Sequence, residues 1–287
     1  MDKTEFYKKL DRIRDLPTLP EVAVKLNNLL DSPDTTIDQV SDTIKKDQAI
    51  VGKMLRLVNS SFFGLEAKVT TVPRAVVILG FNTVRNALVS VSIIDSTKNI
   101  QGDGIDMKVF WKHAISCAVI GKHLSFRSHI GLPEEAFTAG IIHDIGKLVL
   151  AKFFSKEFSE IIKIMDFGSS FYSAETKVIP VHHNEIGAYL SERWRLPKII
   201  CDAIRYSHSK SPSHKSSLGC LVACADNIVN TGCLNDTEAC VSNLSLGEIP
   251  EQLRTEIEGG KQWIPETVQE IEAACSILIS GGNNGDE

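Results

Sequence analysis

Apolar side chains recur at three- and four-residue intervals along most of this chain, the spacing of helices with one buried face. One such segment runs from about Thr36 to Lys45, and another follows Asp47 and continues through Val58. The apolar run that starts at Val72 ends at Gly80, where we expect a helix stop before the next helix begins near Asn82. Alternating strand patterns between hairpin turns are nearly absent, so the sequence predicts an all-α, multi-helix bundle.

Polar stretches divide this helical pattern. A composition break at residues 99–104 indicates a boundary between an N-terminal helical subdomain, 1–100, and a second helical subdomain, 101–280. A second polar stretch, 207–217, is typical of a loop between helices. The segment 281–287 is rich in glycine and asparagine, and we expect a flexible tail there.

Composition and charge limit which partners and which cellular location the sequence predicts. The 287 residues are 43% hydrophobic and 23% charged, and the formal net charge is −5, which gives no support to a nucleic-acid partner. No apolar run approaches the roughly 18 residues of a membrane helix, and Met1–Glu5 does not lead into a signal peptide, so we expect a cytoplasmic protein without membrane contact. The seven cysteines form no Cys-x-x-Cys pair and are expected to be reduced and mostly buried.

Candidate chemistry begins at His143 and Asp144, which lie side by side in an apolar segment, 139–149. If that segment is one helix, its isoleucines and leucines form a buried stripe, and His143, Asp144 and Lys147 share a polar arc beside it. Gly140 falls in the same arc and would let another helix or a ligand approach closely. The alternative is an exposed face on which Asp144 and Lys147 form a weak helical ion pair.

Other segments supply similar side chains. His113 lies in a segment rich in small and apolar residues, and His183 lies next to His182. His208 lies at the edge of the polar stretch 207–217. Asp226 lies in the apolar segment 222–228, where a carboxylate must cap, pair or bind. Each of these residues has a structural explanation by itself, but the set is suited to a metal ion.

Taken together, these motifs resemble those of a known protein family. The order His113, His143-Asp144, Asp226 resembles the H…HD…D signature of the HD superfamily of metal-dependent phosphohydrolases, which are helical bundles with ligands on separate helices. The segments 16–22, 47–50, 55–60, 75–80, 139–147 and 185–197 resemble the successive motifs of the HDOD (HD-related output) domain, over roughly Leu16 to Asn230. The resemblance implies that the C-terminal half is HD-like.

The resemblance also implies a role and a limit. HDOD domains are found mostly in bacterial signalling proteins and are regarded as output or interaction domains. His183, four residues before Gly187, is similar to a histidine of the related HD-GYP phosphodiesterases, but Ser207-His208 stands where those proteins have two adjacent histidines. No Gly-Tyr-Pro follows His208, so cyclic-di-GMP hydrolysis of that type is not expected.

With the resemblance added, the candidate metal ligands are six: His113, His143, Asp144, His183, His208 and Asp226. Six imidazole and carboxylate groups suit Fe, Mn, Zn or Ni and could hold two cations with Asp144 shared between them. Lys147 could contact a phosphate oxygen or neutralise the carboxylates, and we favour the neutralising role. His182 is expected at the surface or behind the ligands, and His123, His129 and His214 outside the site.

Two functional hypotheses follow. In the first, which we favour, the protein is a bacterial signal-transduction output module with an unidentified signalling protein as partner, and the metal site holds helices together. The N-terminal half, which carries no cluster of titratable residues, would offer the partner a surface. In the second, the protein is a metal-dependent phosphohydrolase or phosphodiesterase acting on a nucleotide or other phosphate ester, with Asp144 and Lys147 as catalytic residues.

Overall fold

A computed structural model describes residues 2–60, 63–65, 67–98, 100, 104–208, 216–232, 234 and 249–279. Within these ranges the protein is all-α, as predicted, and contains no strand. The helices are α1 (Lys3–Arg12), α2 (Glu21–Leu30), α3 (Ile37–Ile44), α4 (Gln48–Val58), α5 (Val72–Thr97), α6 (Met107–Ser128), α7 (Pro133–Ile142), α8 (Ile145–Phe153), α9 (Ser155–Met165), α10 (Phe171–Val178), α11 (His183–Arg193), α12 (Lys198–Tyr206), α13 (Ser217–Asn230), α14 (Glu251–Glu258) and α15 (Gly260–Leu278).

Local sequence signals explain where many of these helices begin. Thr36 and Gln39 form a capping box at the start of α3, and the Asp47 side chain accepts a hydrogen bond from the Ile50 amide at the start of α4. The side chain of Asn59 ends α4, because it donates to the Leu55 carbonyl and pairs with the backbone of Val69. Asn59 thus satisfies backbone groups of both the last helical turn and the following segment.

Helix α5 is interrupted where the sequence predicts it. Gly80 has φ 80° and ψ 164°, a conformation that side chains disfavour, and it breaks the helical path between two apolar stretches. The expectation that no apolar run reaches membrane-spanning length was wrong, because α5 is long and apolar enough by length and composition. More than half (56%) of that apolar window is buried inside the fold, as in a core helix.

Helix α6 lies at the centre of the C-terminal half and packs against α7, α13 and α15. Gly140 of α7 permits this packing, because a Cβ atom at that position would lie 2.5 Å from the Ala118 Cα atom of α6. The close approach expected at Gly140 is thus an approach of a helix. Gly146 plays the same part between α8 and α11, since a Cβ atom there would lie 2.0 Å from the His183 carbonyl oxygen.

The segment 139–149 differs from the single helix that its pattern predicts. Helix α7 ends at Ile142 and α8 begins at Ile145, so His143 and Asp144 form the junction of two helices. The apolar pattern continues across the break because both helices are buried on nearly every side. His143 and Asp144 are 0% and 2% exposed, which excludes the alternative of an exposed ion-paired face.

The two halves of the chain share one apolar core. Phe6 stacks on Phe154 at a ring-centroid distance of 4.5 Å, and the Trp194 indole N–H donates to the Pro17 carbonyl over 2.9 Å. Residues 99 and 101–103 lie outside the described residues, and the subdomain boundary there stays a prediction. Most of the predicted 207–217 loop and all of the predicted 281–287 tail also lie outside them.

Candidate metal centre

The structure brings together the six candidate ligands from five separate parts of the C-terminal half. Helix α6 supplies His113, the α7–α8 junction His143 and Asp144, the start of α11 His183, the turn after α12 His208, and α13 Asp226. Their donor atoms fall into two clusters, and Cys117 Sγ adds to the first while Asp144 belongs to the second. We name His113, His143 and Asp226 the His113 group, and His183 and His208 the His183 group.

In the His113 group the donor atoms surround Asp226. Asp226 Oδ1 lies 3.1 Å from His113 Nε2 and 3.7 Å from His143 Nε2. The same oxygen accepts a hydrogen bond of 2.8 Å from the amide of Asn230, one helical turn later on α13. An aspartate on an apolar helix is therefore explained by its position among imidazoles.

Asp144 faces both groups with different oxygens. Its Oδ2 atom lies 3.5 Å from His143 Nε2 and 3.6 Å from His113 Nε2, whereas its Oδ1 atom lies 3.2 Å from His183 Nε2. In the His183 group, His183 Nε2 and His208 Nε2 lie 3.0 Å apart. A carboxylate placed in this way can be shared by two cations.

The buried imidazoles are held so that one ring nitrogen is left for a metal. His143 Nδ1 lies 2.8 Å from the Gly140 carbonyl oxygen, and because a carbonyl can only accept, Nδ1 carries the proton. His183 Nδ1 lies 2.7 Å from Glu175 Oε2 and donates to that carboxylate in the same way. In their neutral form both rings therefore present an Nε2 lone pair toward Asp144, the arrangement usual for metal-bound histidines.

Sequence reasoning missed Glu175 of α10. This side chain is fully buried, and besides His183 Nδ1 it binds the His183 backbone amide over 2.9 Å. The available signal was a carboxylate beside Ala174 on the apolar side of a short helix, the same argument that selected Asp226. Nothing in the local sequence, however, connects Glu175 with His183.

For His143, His183 and Asp144, attraction between opposite charges outweighs the effect of burial on the pKa. Burial by itself lowers the pKa of His143 and His183, but the neighbouring Asp144 and Glu175 carboxylates raise both above the ordinary value. Burial likewise acts to raise the pKa of Asp144, yet His143, Lys147 and His183 hold it well below its usual range. Burial and the facing His183 lower the pKa of His208 to about 3, so His208 is neutral at physiological pH.

The residues present fit a divalent metal. His143 Nε2 and Asp144 Oδ1 are buried and have no hydrogen-bond partner among the described residues, which is uncommon for buried polar atoms. His143 Nε2 faces Asp144 Oδ2 and Asp226 Oδ1, whereas Asp144 Oδ1 faces His183 Nε2. Neutral imidazoles with carboxylates are ligands for Fe, Mn, Zn or Ni, so the donor set itself does not select one of these metals.

Lys147 lies one turn into α8, beside the shared carboxylate. Its Nζ atom is 2.5 Å from Asp144 Oδ2 and 4.9 Å from the centroid of the Phe171 ring. The lysine side chain is 22% exposed and that of His113 is 20% exposed, so the centre has an edge near solvent. The ammonium group is placed to neutralise Asp144, and its functional role stays a prediction.

One cysteine and two further histidines lie in or near this half of the bundle. Cys117, one turn after His113, has Sγ 3.6 Å from His113 Nε2, and burial raises the thiol pKa well above its usual value. His182 lies behind the ligands, where it stacks on Tyr172. His123 lies outside the centre, and its Nε2 atom is 3.0 Å from Glu270 Oε2.

His129, His214 and most of the cysteines were not expected to be metal ligands. His129 ends α6 in a left-handed conformation, and His214 lies outside the described residues. The five described cysteines are free, and all but Cys275 are buried. Cys233 and Cys240 lie outside the described residues.

A bundle that gathers imidazoles and carboxylates from separate helices defines the HD class of fold. The sequence profile of the HDOD domain matches residues 16–210, more than half of the chain. The chain therefore belongs to the HDOD family, and the family and fold class predicted from the sequence are confirmed.

The chain is also similar to solved structures and to one curated protein. A crystal structure from Shewanella amazonensis SB2B, named "Putative phosphohydrolase", is 25% identical with a TM-score of 0.76, covering 94% of this chain and 97% of that one. An HDOD domain protein with unknown function from Geobacter sulfurreducens is 25% identical with a TM-score of 0.71, covering 96% and 97%. An uncharacterized protein of Treponema pallidum (strain Nichols) is 26% identical over 201 residues, and the chain spans about two fifths (39%) of its length.

Proposed function

We propose that this protein is a signal-transduction output module of HDOD type whose C-terminal half binds two divalent metal ions. The observation that carries the proposal is the position of Asp144, whose two oxygens face the His113 group and the His183 group separately. The two buried donor atoms without hydrogen-bond partners, His143 Nε2 and Asp144 Oδ1, support it. The metals proposed are drawn from Fe, Mn, Zn and Ni.

In this proposal the centre works by joining helices. The ligands come from α6, the α7–α8 junction, α11, the turn after α12, and α13, so a bound metal ties together segments more than 100 residues apart in sequence. Free energy of metal binding then adds to the free energy of unfolding. Metal loading would set the rigidity of the bundle, and a signalling protein would read it through contact with the N-terminal half.

A second candidate function is hydrolysis of a phosphate ester such as a nucleotide. The observation that favours it is the edge of the centre near solvent, where Lys147 and His113 are partly exposed beside the shared carboxylate. Divalent metals in such a site act as Lewis acids on phosphoryl oxygens. Lys147 would then bind a phosphate oxygen as a point charge, and Asp144 would hold both Lys147 and the metal ligands in place.

Metal analysis and thermal unfolding test the first proposal. Protein purified without chelator should contain stoichiometric first-row metal, and His143→Ala should lose both the metal and its stabilisation. His129→Asn is the matched control, because His129 lies outside the centre at a left-handed position that asparagine tolerates. Absence of stoichiometric metal, together with unchanged thermal stability of His143→Ala, would overturn the metal centre in both candidate functions.

A substrate screen separates the two candidates. Metal-loaded protein is incubated with nucleotides, cyclic nucleotides and generic phosphate esters, and Asp144→Ala serves as the inactive control. We expect no turnover that depends on Asp144. Hydrolysis by the wild type that disappears in Asp144→Ala would favour the enzyme over the output module.

A further inference from the structure

A second polar site lies at the turn between α11 and α12, where it meets helices of the N-terminal half. A cleft of about 440 Å³ opens between α2, α5 and the turn that joins α11 to α12. It is lined by Asn27, Asp31, Arg85, Arg195, Leu196, Pro197 and Lys198. None of the six candidate metal ligands lines it, and its volume is in the range of small-molecule sites.

The cleft carries an excess of positive charge. Three cations, Arg85, Arg195 and Lys198, face one carboxylate, Asp31. Lys198 pairs with Asp202, one turn later in α12, at the exposed margin. Arg195 donates to the neutral Asn28 amide oxygen over 2.9 Å, which leaves its charge uncompensated.

Arg85 is the least satisfied of the three cations. Its Nε atom is buried and has no hydrogen-bond partner among the described residues. Asp31 and Glu135 attract the guanidinium from a distance, but no described carboxylate forms an ion pair with it. A half-buried guanidinium without a bonded partner is costly to the fold unless an acceptor is supplied.

Asn27 adds a matching acceptor. This residue is 4% exposed, and its Nδ2 atom donates to the Trp194 carbonyl oxygen over 3.4 Å. Because that carbonyl can only accept, the contact sets the orientation of the side-chain amide. Its Oδ1 atom is then left buried without a partner among the described residues. Both Asn27 Oδ1 and Arg85 Nε are therefore buried in residues that line the cleft, and neither has a partner among the described residues.

Helix α12 contributes a further electropositive element. It begins at Lys198 directly after Pro197, and no side chain caps its first turn. The amides and the partial positive charge of a helix start favour an oxyanion. The start of α12 thus adds a partial positive charge to the charges of Arg85 and Arg195.

We propose that this cleft binds a small phosphate-bearing anion. The phosphate would lie between Arg85, Arg195 and the start of α12, because planar guanidinium groups bind phosphate oxygens in pairs. The volume accommodates a sugar phosphate or a mononucleotide.

Occupation of the cleft would join the two halves of the protein. Arg85 and Asn27 belong to α5 and α2, whereas Arg195 and the start of α12 belong to the C-terminal half. His208 follows the far end of α12, and the ligand would therefore contact the helix that leads to the His183 group. This proposal does not depend on metal binding or on either proposed function.

Calorimetric titration of the full chain tests the proposal, with inorganic phosphate, ribose 5-phosphate and adenosine 5′-monophosphate as probes. The protein is treated with EDTA, and ionic strength is held constant with chloride. We expect saturable binding that weakens at least about tenfold in Arg85→Gln and in Arg195→Gln, the loss expected for one charge-assisted hydrogen bond. Arg74→Gln, which makes the same charge change on the first part of α5, should bind within about twofold of wild type.

The variants distinguish this cleft from the metal centre. Arg195 is exposed, so its replacement leaves the fold intact even if Arg85→Gln is unstable. The EDTA-treated wild type should bind phosphate as tightly as protein loaded with Mn²⁺, because the cleft holds none of the candidate metal ligands. The proposal is overturned if no probe binds saturably, if Arg195→Gln binds like the wild type, or if binding appears only after Mn²⁺ is added.

Discussion

The His113 group and the His183 group face the same carboxylate, but the side chains behind them differ. In the His183 group the ligand imidazole is held by a fully buried, ionised carboxylate, Glu175. In the His113 group His143 is held by a neutral backbone carbonyl, and Asp226 by the amide of Asn230 at an exposed edge. A carboxylate behind an imidazole raises its basicity as well as fixing its orientation, so the two groups should differ in metal affinity.

The largest effect is expected where the two groups meet. Asp144→Asn should remove stoichiometric metal from both groups, because each uses one oxygen of this carboxylate. In the metal-free protein the change leaves Lys147 and the imidazoles without their buried partner, and the free energy of unfolding should fall by about 3 kcal/mol. Metal analysis and urea denaturation measure these two losses.

Asp166→Asn at the exposed end of α9 is the matched control and should change stability by less than about 0.5 kcal/mol. If Asp144→Asn kept one full equivalent of metal, Asp144 would not be shared between the groups.

The next effect separates the groups. Glu175→Gln should weaken the tighter-bound ion about 10- to 100-fold and leave the other nearly unchanged, because Glu175 supports His183 alone among the candidate ligands. Titration against a metal chelator measures both affinities. Glu160→Gln on the exposed side of α9 is the control, and an equal loss at both groups would show that they do not act separately.

A pH dependence tests the imidazoles of both groups. The raised pKa values of His143 and His183 mean that their protonated forms stabilise the metal-free protein below about pH 6.5, and this contribution is lost as the pH rises through the raised values. A metal ion requires the neutral imidazoles, so stabilisation by added Mn²⁺ should increase from pH 6 to pH 8.

Thermal unfolding with and without Mn²⁺ measures this pH dependence. The apparent affinity should rise up to about tenfold per pH unit for each proton displaced. Glu175→Gln should flatten the dependence, because it removes the carboxylate that raises the His183 pKa. A stabilisation that is constant across this range would contradict the role assigned to the imidazoles.

The smallest effect is expected at the exposed edge of the His113 group. Asn230→Ala removes one hydrogen bond to Asp226 Oδ1, and because that bond is exposed, affinity for the ion in this group should fall only about two- to fivefold. The same chelator titration measures it. A loss as large as that of Glu175→Gln would show that the two supports are equivalent.

The sequence predicted the helical class, the Gly80 break and the side chains that meet in the centre, because each depends on local spacing or on a motif order. It did not predict the helix break at His143 and Asp144, since neither residue is a proline or glycine and the apolar pattern continues across them. Glu175 and the Arg85–Asn27 cleft were missed for another reason. Their partners lie on helices remote in sequence, and such pairs become visible only when the helices are packed.

Gly146 fixes the spacing between the two groups without taking part in either. Its missing side chain lets the backbone of α8 rest against the peptide of His183, so the separation of Asp144 from His183 is set by main-chain contact. A single methyl group at position 146 would clash with the His183 carbonyl oxygen, push α8 and α11 apart and move His183 away from Asp144.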